Sequence, residues 1–181
     1  MILSDIKIKE YLADNVITVI PPCKDSDIRP VGIRLHLHAE ILIPVADQIV
    51  DLENPVKIKY ETIKITDTGY ILKPNDFILA STVEKIMLPP NIVGKLDGRS
   101  TIARLGLMIH CSSNIVDGNH DEPRSIVYEI KNLGNFKIVL RKNMPLAMLV
   151  FNQLTESISQ PSQSQYRNQN SVTPPNIHFK P

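Results

Sequence analysis

The sequence contains no tryptophan, only seven glycines and only two cysteines. Cys23 and Cys111 cannot build a disulfide framework, so the fold must be held by a packed core. No apolar run approaches the roughly 18 residues that a membrane-spanning helix needs, so no membrane span and no membrane partner are expected. The opening Met1-Ile2-Leu3-Ser4-Asp5-Ile6-Lys7 lacks the basic-then-apolar layout of a secretion signal, which makes the cytoplasm the expected compartment. An excess of charge is missing too. Twenty basic residues face 19 acidic ones, for a net charge of +1. That balance excludes the broad positive field of a polymeric nucleic-acid binder and leaves open only a local anion site.

What is present suffices for one ordinary domain. A composition of 43% hydrophobic and 22% charged residues is that of a globular chain, not a disordered one. Fourteen prolines punctuate the chain, and the segments between them are short and rich in Ile and Val. This predicts many short strands. Alternation is visible in Ile33-Arg34-Leu35-His36-Leu37-His38 and in Val56-Lys57-Ile58-Lys59-Tyr60. Further strands are expected at Val16–Ile20, Phe77–Ala80, Lys85–Leu88, Leu107–Cys111, Ile126–Lys131, Phe136–Leu140 and Ala147–Phe151. Two helices are expected. One follows Ser4 as N-cap and runs to Ala13; the other is Ser100–Leu105, stopped by Gly106. The rest reads as an all-β sandwich or barrel. Beyond Leu154 apolar anchors thin out and Ser and Gln dominate, so residues 1–154 read as the domain and 155–181 as a tail. Such a tail is either disordered or ordered over a site.

Three groups of residues could carry chemistry. His38-Ala39-Glu40 matches half of a zinc deaminase signature, but no downstream Pro-Cys-x-x-Cys completes it, so no zinc is expected. Asp97-Gly98-Arg99-Ser100-Thr101-Ile102-Ala103-Arg104-Leu105-Gly106 reads as a strand end, a turn and a short helix. Its amides, hydroxyls and two guanidinium groups suit a di- or triphosphate, or else form a capped structural helix with surface arginines. Glu129, flanked by apolar residues on a strand, is either a proton-carrying acid in a pocket or a solvent-facing strand residue. Asp117 alone would be read as a turn residue.

Taken together, these residues resemble the dCTP deaminases, members of the dUTPase-like trimeric nucleotide hydrolases. The likeness runs from Met1–Asp5 through Leu72–Glu84 and peaks at Gly98–Leu107. Tyr166-Arg167-Asn168-Gln169 resembles the family's ligand-closing tail. The resemblance implies a homotrimer of distorted β-barrels of the β-clip, jelly-roll-like type, with active sites between subunits. It implies zinc-independent hydrolysis of dCTP to dUTP and ammonia, with magnesium carried on the triphosphate and dTTP as an inhibitor at the same site in many members. By position, Glu129 would be the proton shuttle, with Ser100 and Arg104 holding water and the carboxylate. Arg99 to Arg104, with Thr101, Ile102 and Ala103 between, would hold phosphates. Asp117 would contact the sugar, Val127 and Tyr128 would line the base pocket, and Tyr166 and Gln169 would close over the ligand.

Several positions depart from the family pattern. The Asp117–Glu129 interval, which includes Gly118-Asn119-His120-Asp121-Glu122-Pro123-Arg124-Ser125, is two residues longer than the family's and lacks its Pro-Gly. Gln165 stands where a phosphate-facing lysine is common, Val31 where an aspartate is usual, and Ser113 where alanine is frequent. The altered Asp117–Glu129 loop and Gln165 keep open the reading of a catalytically weak nucleotide-binding homologue. By resemblance Asp117 also sits where dUTPases place their water-orienting aspartate, which keeps open a bifunctional enzyme that carries dUTP on to dUMP.

Overall fold

A computed structural model describes residues 1–160, 164–166 and 169–177. The helix expected after Ser4 is present as α1 (Asp5–Ala13). Ser4 takes the N-cap position, but its side chain makes no capping hydrogen bond. Instead the Asp5 amide donates to the Pro30 carbonyl at 3.0 Å, so the first turn is tied to the body of the fold. Ile8 is its buried anchor.

Most of the remaining regular structure is strand. Ten strands form one antiparallel sheet: β1 (Thr18–Ile20), β2 (Ile28–Arg29), β3 (Gly32–Pro44), β4 (Tyr60–Lys64), β6 (Phe77–Met87), β7 (Ile92–Gly98), β8 (Leu107–Met108), β9 (Ile115–Val116), β10 (Arg124–Asn132) and β12 (Pro145–Gln153). A separate ribbon pairs β5 (Tyr70–Leu72) with β11 (Ile138–Leu140). The path through the large sheet is β8-β10-β6-β3-β12-β7-β9. Strand β3 turns the corner. Its first half pairs with β12, as in Ile33 with Leu149, and its second half pairs with β4 and β6. Ile33, Leu35 and Leu37 are fully buried, while Arg34, His36 and His38 alternate outward, the period of two expected of a half-buried strand.

The two ends of the path come close together. Strand β8 lies on β10 at one edge and β9 lies on β7 at the other. Only residues 109–114 separate β8 from β9, a span of at most about 25 Å. The sheet is therefore curled, with the 109–114 segment bridging its edges. Inside the curl, Tyr128, Phe151, Ile33, Leu35 and Ile78 form the core.

Three sequence expectations shift. First, Phe77–Ala80 and Lys85–Met87 belong to one strand that ends before Leu88; the intervening Ser81, Thr82 and Glu84 are polar yet buried. Second, Val56–Lys59 is not strand. Val56 is exposed, and the excursion is closed instead by Gln48, whose amide donates to the Val45 and Lys59 carbonyls and accepts from the Lys59 amide. Third, β7 went unread because Gly94 resembles a turn. In the fold Gly94 admits the Leu149 side chain, which would stand 3.0 Å from a Cβ there.

Thr82 repairs a break in the β6–β10 ladder. The register slips between Ser125 and Val127, and the Ile126 amide donates to Thr82 Oγ1 at 2.9 Å. The same hydroxyl donates to the Glu84 carbonyl at 2.6 Å. Thr82→Val keeps the shape and removes both bonds. It should lower the unfolding free energy by about 1–3 kcal/mol, with Thr82→Ser close to wild type, as read by urea denaturation.

Candidate functional site

Strand β10 builds one wall of the site by alternation. Ile126, Tyr128 and Ile130 face the core. Val127 falls on the opposite face, where it packs with Leu42, Leu79, Phe77, Tyr60 and the tail residue Val172. Glu129 shares this parity and lies opposite Leu79 in the ladder. Its backbone amide donates to the Ile109 carbonyl at 3.1 Å. Its carboxylate Oε2 accepts the Cys111 amide at 2.9 Å, so the bridging segment that closes the sheet also seats the acid. Oε1 has no protein partner among the described residues.

The acid borders a cavity of about 570 Å³, within the size range of small-ligand pockets. Ser113 to Asp117 form another wall, and Ser164, Tyr166, Gln169, Thr173, Pro174 and Pro175 roof it. The described part of the tail thus docks on its own chain. The Ser125 amide donates to the Gln169 carbonyl at 3.0 Å, and Gln169 Nε2 donates to the Ser125 carbonyl at 2.8 Å. Thr173 Oγ1 donates to Gln169 Oε1, and the Asn176 amide donates to the Tyr166 hydroxyl. Val172, 5% exposed, anchors this roof on Leu42 and Leu79.

The longer 118–125 loop leaves both acids at the cavity. Gly118 packs so closely that a Cβ would stand 2.3 Å from the Ile92 and Pro89 carbonyl oxygens. Asn119, at φ 61°, donates its amide to the Leu88 carbonyl. Asp117 is held at its place by these contacts. Farther along, Arg124 Nη2 meets His120 Nε2 at 2.5 Å. Burial, and then the Arg124 charge, push the His120 imidazole down to about 4, against a smaller opposing pull from Asp117. His120 is therefore neutral near pH 7.

Of the residues singled out in the sequence, Asp117, Val127, Glu129, Tyr166 and Gln169 line the cavity. Tyr128 does not. It is fully buried in the core, since neighbours of Val127 and Glu129 on one strand must face the other way. The Arg99–Arg104 run is also off the cavity lining. Ser100 to Ala103 form a single turn, α2, with Arg99 and Arg104 at its caps. Arg99 Nη1 donates to the Pro145 carbonyl at 2.6 Å, while Ser100, Thr101, Ala103 and Arg104 are exposed. Gly106, at φ 74°, ends the turn against Gly134. Arg167 and Asn168 lie outside the described residues. His38 and Glu40 sit on β3, where His38 Nδ1 accepts the Glu40 amide. Among the described residues, no three His, Cys, Asp or Glu side chains gather closely enough for a metal ion. Sequence reading missed Tyr60, Phe77 and Arg124 as lining residues. For Arg124 the altered loop was the available signal.

A curled antiparallel sheet with a roofed cavity on its outer face defines a β-fold small-molecule site. The same fold is found in the 2'-deoxycytidine 5'-triphosphate deaminase of Agrobacterium tumefaciens, with a TM-score of 0.65 at 16% identity. That match covers 84% of this chain and 48% of the other. The dCTP deaminase-like family model matches residues 2–154. The dCTP deaminase of Buchnera aphidicola subsp. Schizaphis graminum is 34% identical over 194 residues, covering 98% of this chain and 99% of that protein. That of Haemophilus ducreyi is 34% identical, covering 95% of each. The chain belongs to the dCTP deaminase-like family, and its curled β-fold agrees with the all-β class expected from the sequence. No helix among the described residues is long and apolar enough to cross a membrane.

The depressed His120 value has a consequence for stability. Below its ordinary value of 6.5 the unfolded chain takes up a proton that the folded chain refuses. Stability from this group is therefore full above pH 6.5 and falls as pH drops toward about 4. Urea denaturation at pH 7 and pH 5 should show a smaller loss for His120→Asn than for wild type.

Proposed function

We propose that this chain hydrolyses dCTP to dUTP and ammonia, with Glu129 moving the protons. Water attacks C4 of the cytosine ring. Glu129 takes a proton from that water and returns one to the ring nitrogen, and a further transfer to the amino group lets the C4–N bond break with ammonia as leaving group. The uracil carbonyl replaces the amine, so the reaction consumes one water and needs no redox partner. The observation that carries this reading is the placement of Glu129. It is a carboxylate at a roofed cavity, with one oxygen fixed by the Cys111 amide and the other left without a protein partner among the described residues.

In the same reading Asp117 holds the deoxyribose, Val127 packs on the pyrimidine, and Tyr166 and Gln169 close over the ligand. Magnesium enters as part of the substrate, bound to the triphosphate, and dUTP and dTTP share the cavity. Arg99, Ser100, Thr101, Ile102, Ala103 and Arg104 receive the phosphates and steady the water from a neighbouring copy of the chain, in a homotrimer. That arrangement accounts for a solvent-exposed Ser-Thr-Arg turn on the surface of one chain. The reading takes the cytoplasm as its compartment.

Incubation with dCTP and magnesium should release ammonia and dUTP in equal amounts. Appearance of dUMP and pyrophosphate would identify a bifunctional enzyme. Nucleotide-dependent melting without product would identify a binding homologue. Glu129→Gln keeps shape and removes the proton carrier. It should lower kcat by about 10²–10⁴-fold while dCTP still raises the melting temperature; wild-type turnover in this variant would refute the assignment of Glu129.

A further inference from the structure

Arg124 opens β10 and lies in the cavity wall. A half-buried guanidinium carries five donors and no acceptor, so each donor needs an oxygen or nitrogen to receive it. One is received by His120 Nε2. His120 is neutral near pH 7, and its ring also hydrogen-bonds the Asp117 backbone, which fixes Nε2 as the accepting nitrogen. The loop thus orients the arginine. Arg124 Nη1, however, is buried and has no hydrogen-bond partner among the described residues. The Asp117 charge acts on the same guanidinium, and both residues line the cavity.

A guanidinium and a carboxylate in the wall of one cavity select the kind of ligand atom that suits both. A phosphate oxygen or the pyrimidine O2 can only accept and would gain nothing from the carboxylate. A hydroxyl can do both, accepting from the guanidinium and donating to the carboxylate. In a 5'-triphosphorylated deoxynucleoside the one free sugar hydroxyl is at the 3' position. We infer that Arg124 is a substrate-binding residue that reads the 3'-hydroxyl of the deoxynucleotide together with Asp117, oriented for this by His120. The inference rests on the dCTP reading above and adds to it a specificity element supplied by the altered 118–125 loop.

The test is a cycle between protein and ligand. Wild type and Arg124→Gln are each assayed with dCTP and with 2',3'-dideoxy-CTP, for turnover and for binding by calorimetry. Arg124→Gln should raise the KM and the Kd for dCTP by on the order of 10- to 100-fold, the effect of one lost charge-assisted bond. Its kcat should stay within about threefold of wild type, and its effect on dideoxy-CTP should also be about threefold or less. His120→Phe, which frees the guanidinium without removing it, should show the same selectivity for the hydroxylated ligand. Equal losses on both ligands, or no loss on dCTP, would overturn the inference. If wild type binds dCTP without converting it, the deaminase reading fails and the binding cycle still decides Arg124. If wild type binds no dCTP, both fail.

Discussion

Strand alternation in β10 is the constraint on which the site depends. Tyr128 and Ile130 must fill the core, and this obliges Val127 and Glu129 to face the cavity. A slip of one residue would put the acid in the core and the tyrosine in the cavity. Several bonds hold the register where the ladder is irregular. Thr82 receives the Ile126 amide, the Ile109 carbonyl receives the Glu129 amide, and the Gln169 carbonyl receives the Ser125 amide. The edge of β10 is thus met at Ser125 by the tail and from Glu129 onward by Ile109 and β8, which leaves less of it open to foreign strands.

The same contacts that close the fold assemble the site. The 109–114 segment joins the two edges of the curled sheet, and in doing so brings the Cys111 amide to the Glu129 carboxylate. The tail adds a second, smaller apolar cluster on the outer face through Val172. Burying one valine contributes roughly 1.5–3 kcal/mol, so the roof is held by one apolar anchor and a few hydrogen bonds. A roof on so small an anchor can open for ligand exchange at modest cost.

Much of this was legible in the sequence. The α1 span, the outward alternation of β3 and the Glu129 strand follow from periodicity and end signals. Other features were hidden for identifiable reasons. Strand β7 contains Gly94, whose role is close approach rather than a turn. Strand β6 hides its middle behind buried Ser81, Thr82 and Glu84, which are apolar in environment but not in chemistry. At the site, Tyr128 was grouped with its neighbours although a strand cannot present three consecutive side chains to one pocket. Whether the tail would order was undecidable from composition, because a single apolar residue, Val172, separates the two outcomes.

The remaining constraint is that the Arg99–Arg104 turn does not line the cavity that holds Glu129. In the proposed homotrimer each site is divided between two copies of the chain, one supplying the acid and one the turn. Subunit mixing tests that division directly. Glu129→Gln and Arg104→Ala chains, each inactive alone, are co-expressed and the mixed oligomers assayed for ammonia release from dCTP. A shared site predicts recovery of about one quarter of wild-type turnover, since that fraction of sites receives both intact contributions in a random closed assembly. Activity no greater than that of the two parents would contradict it.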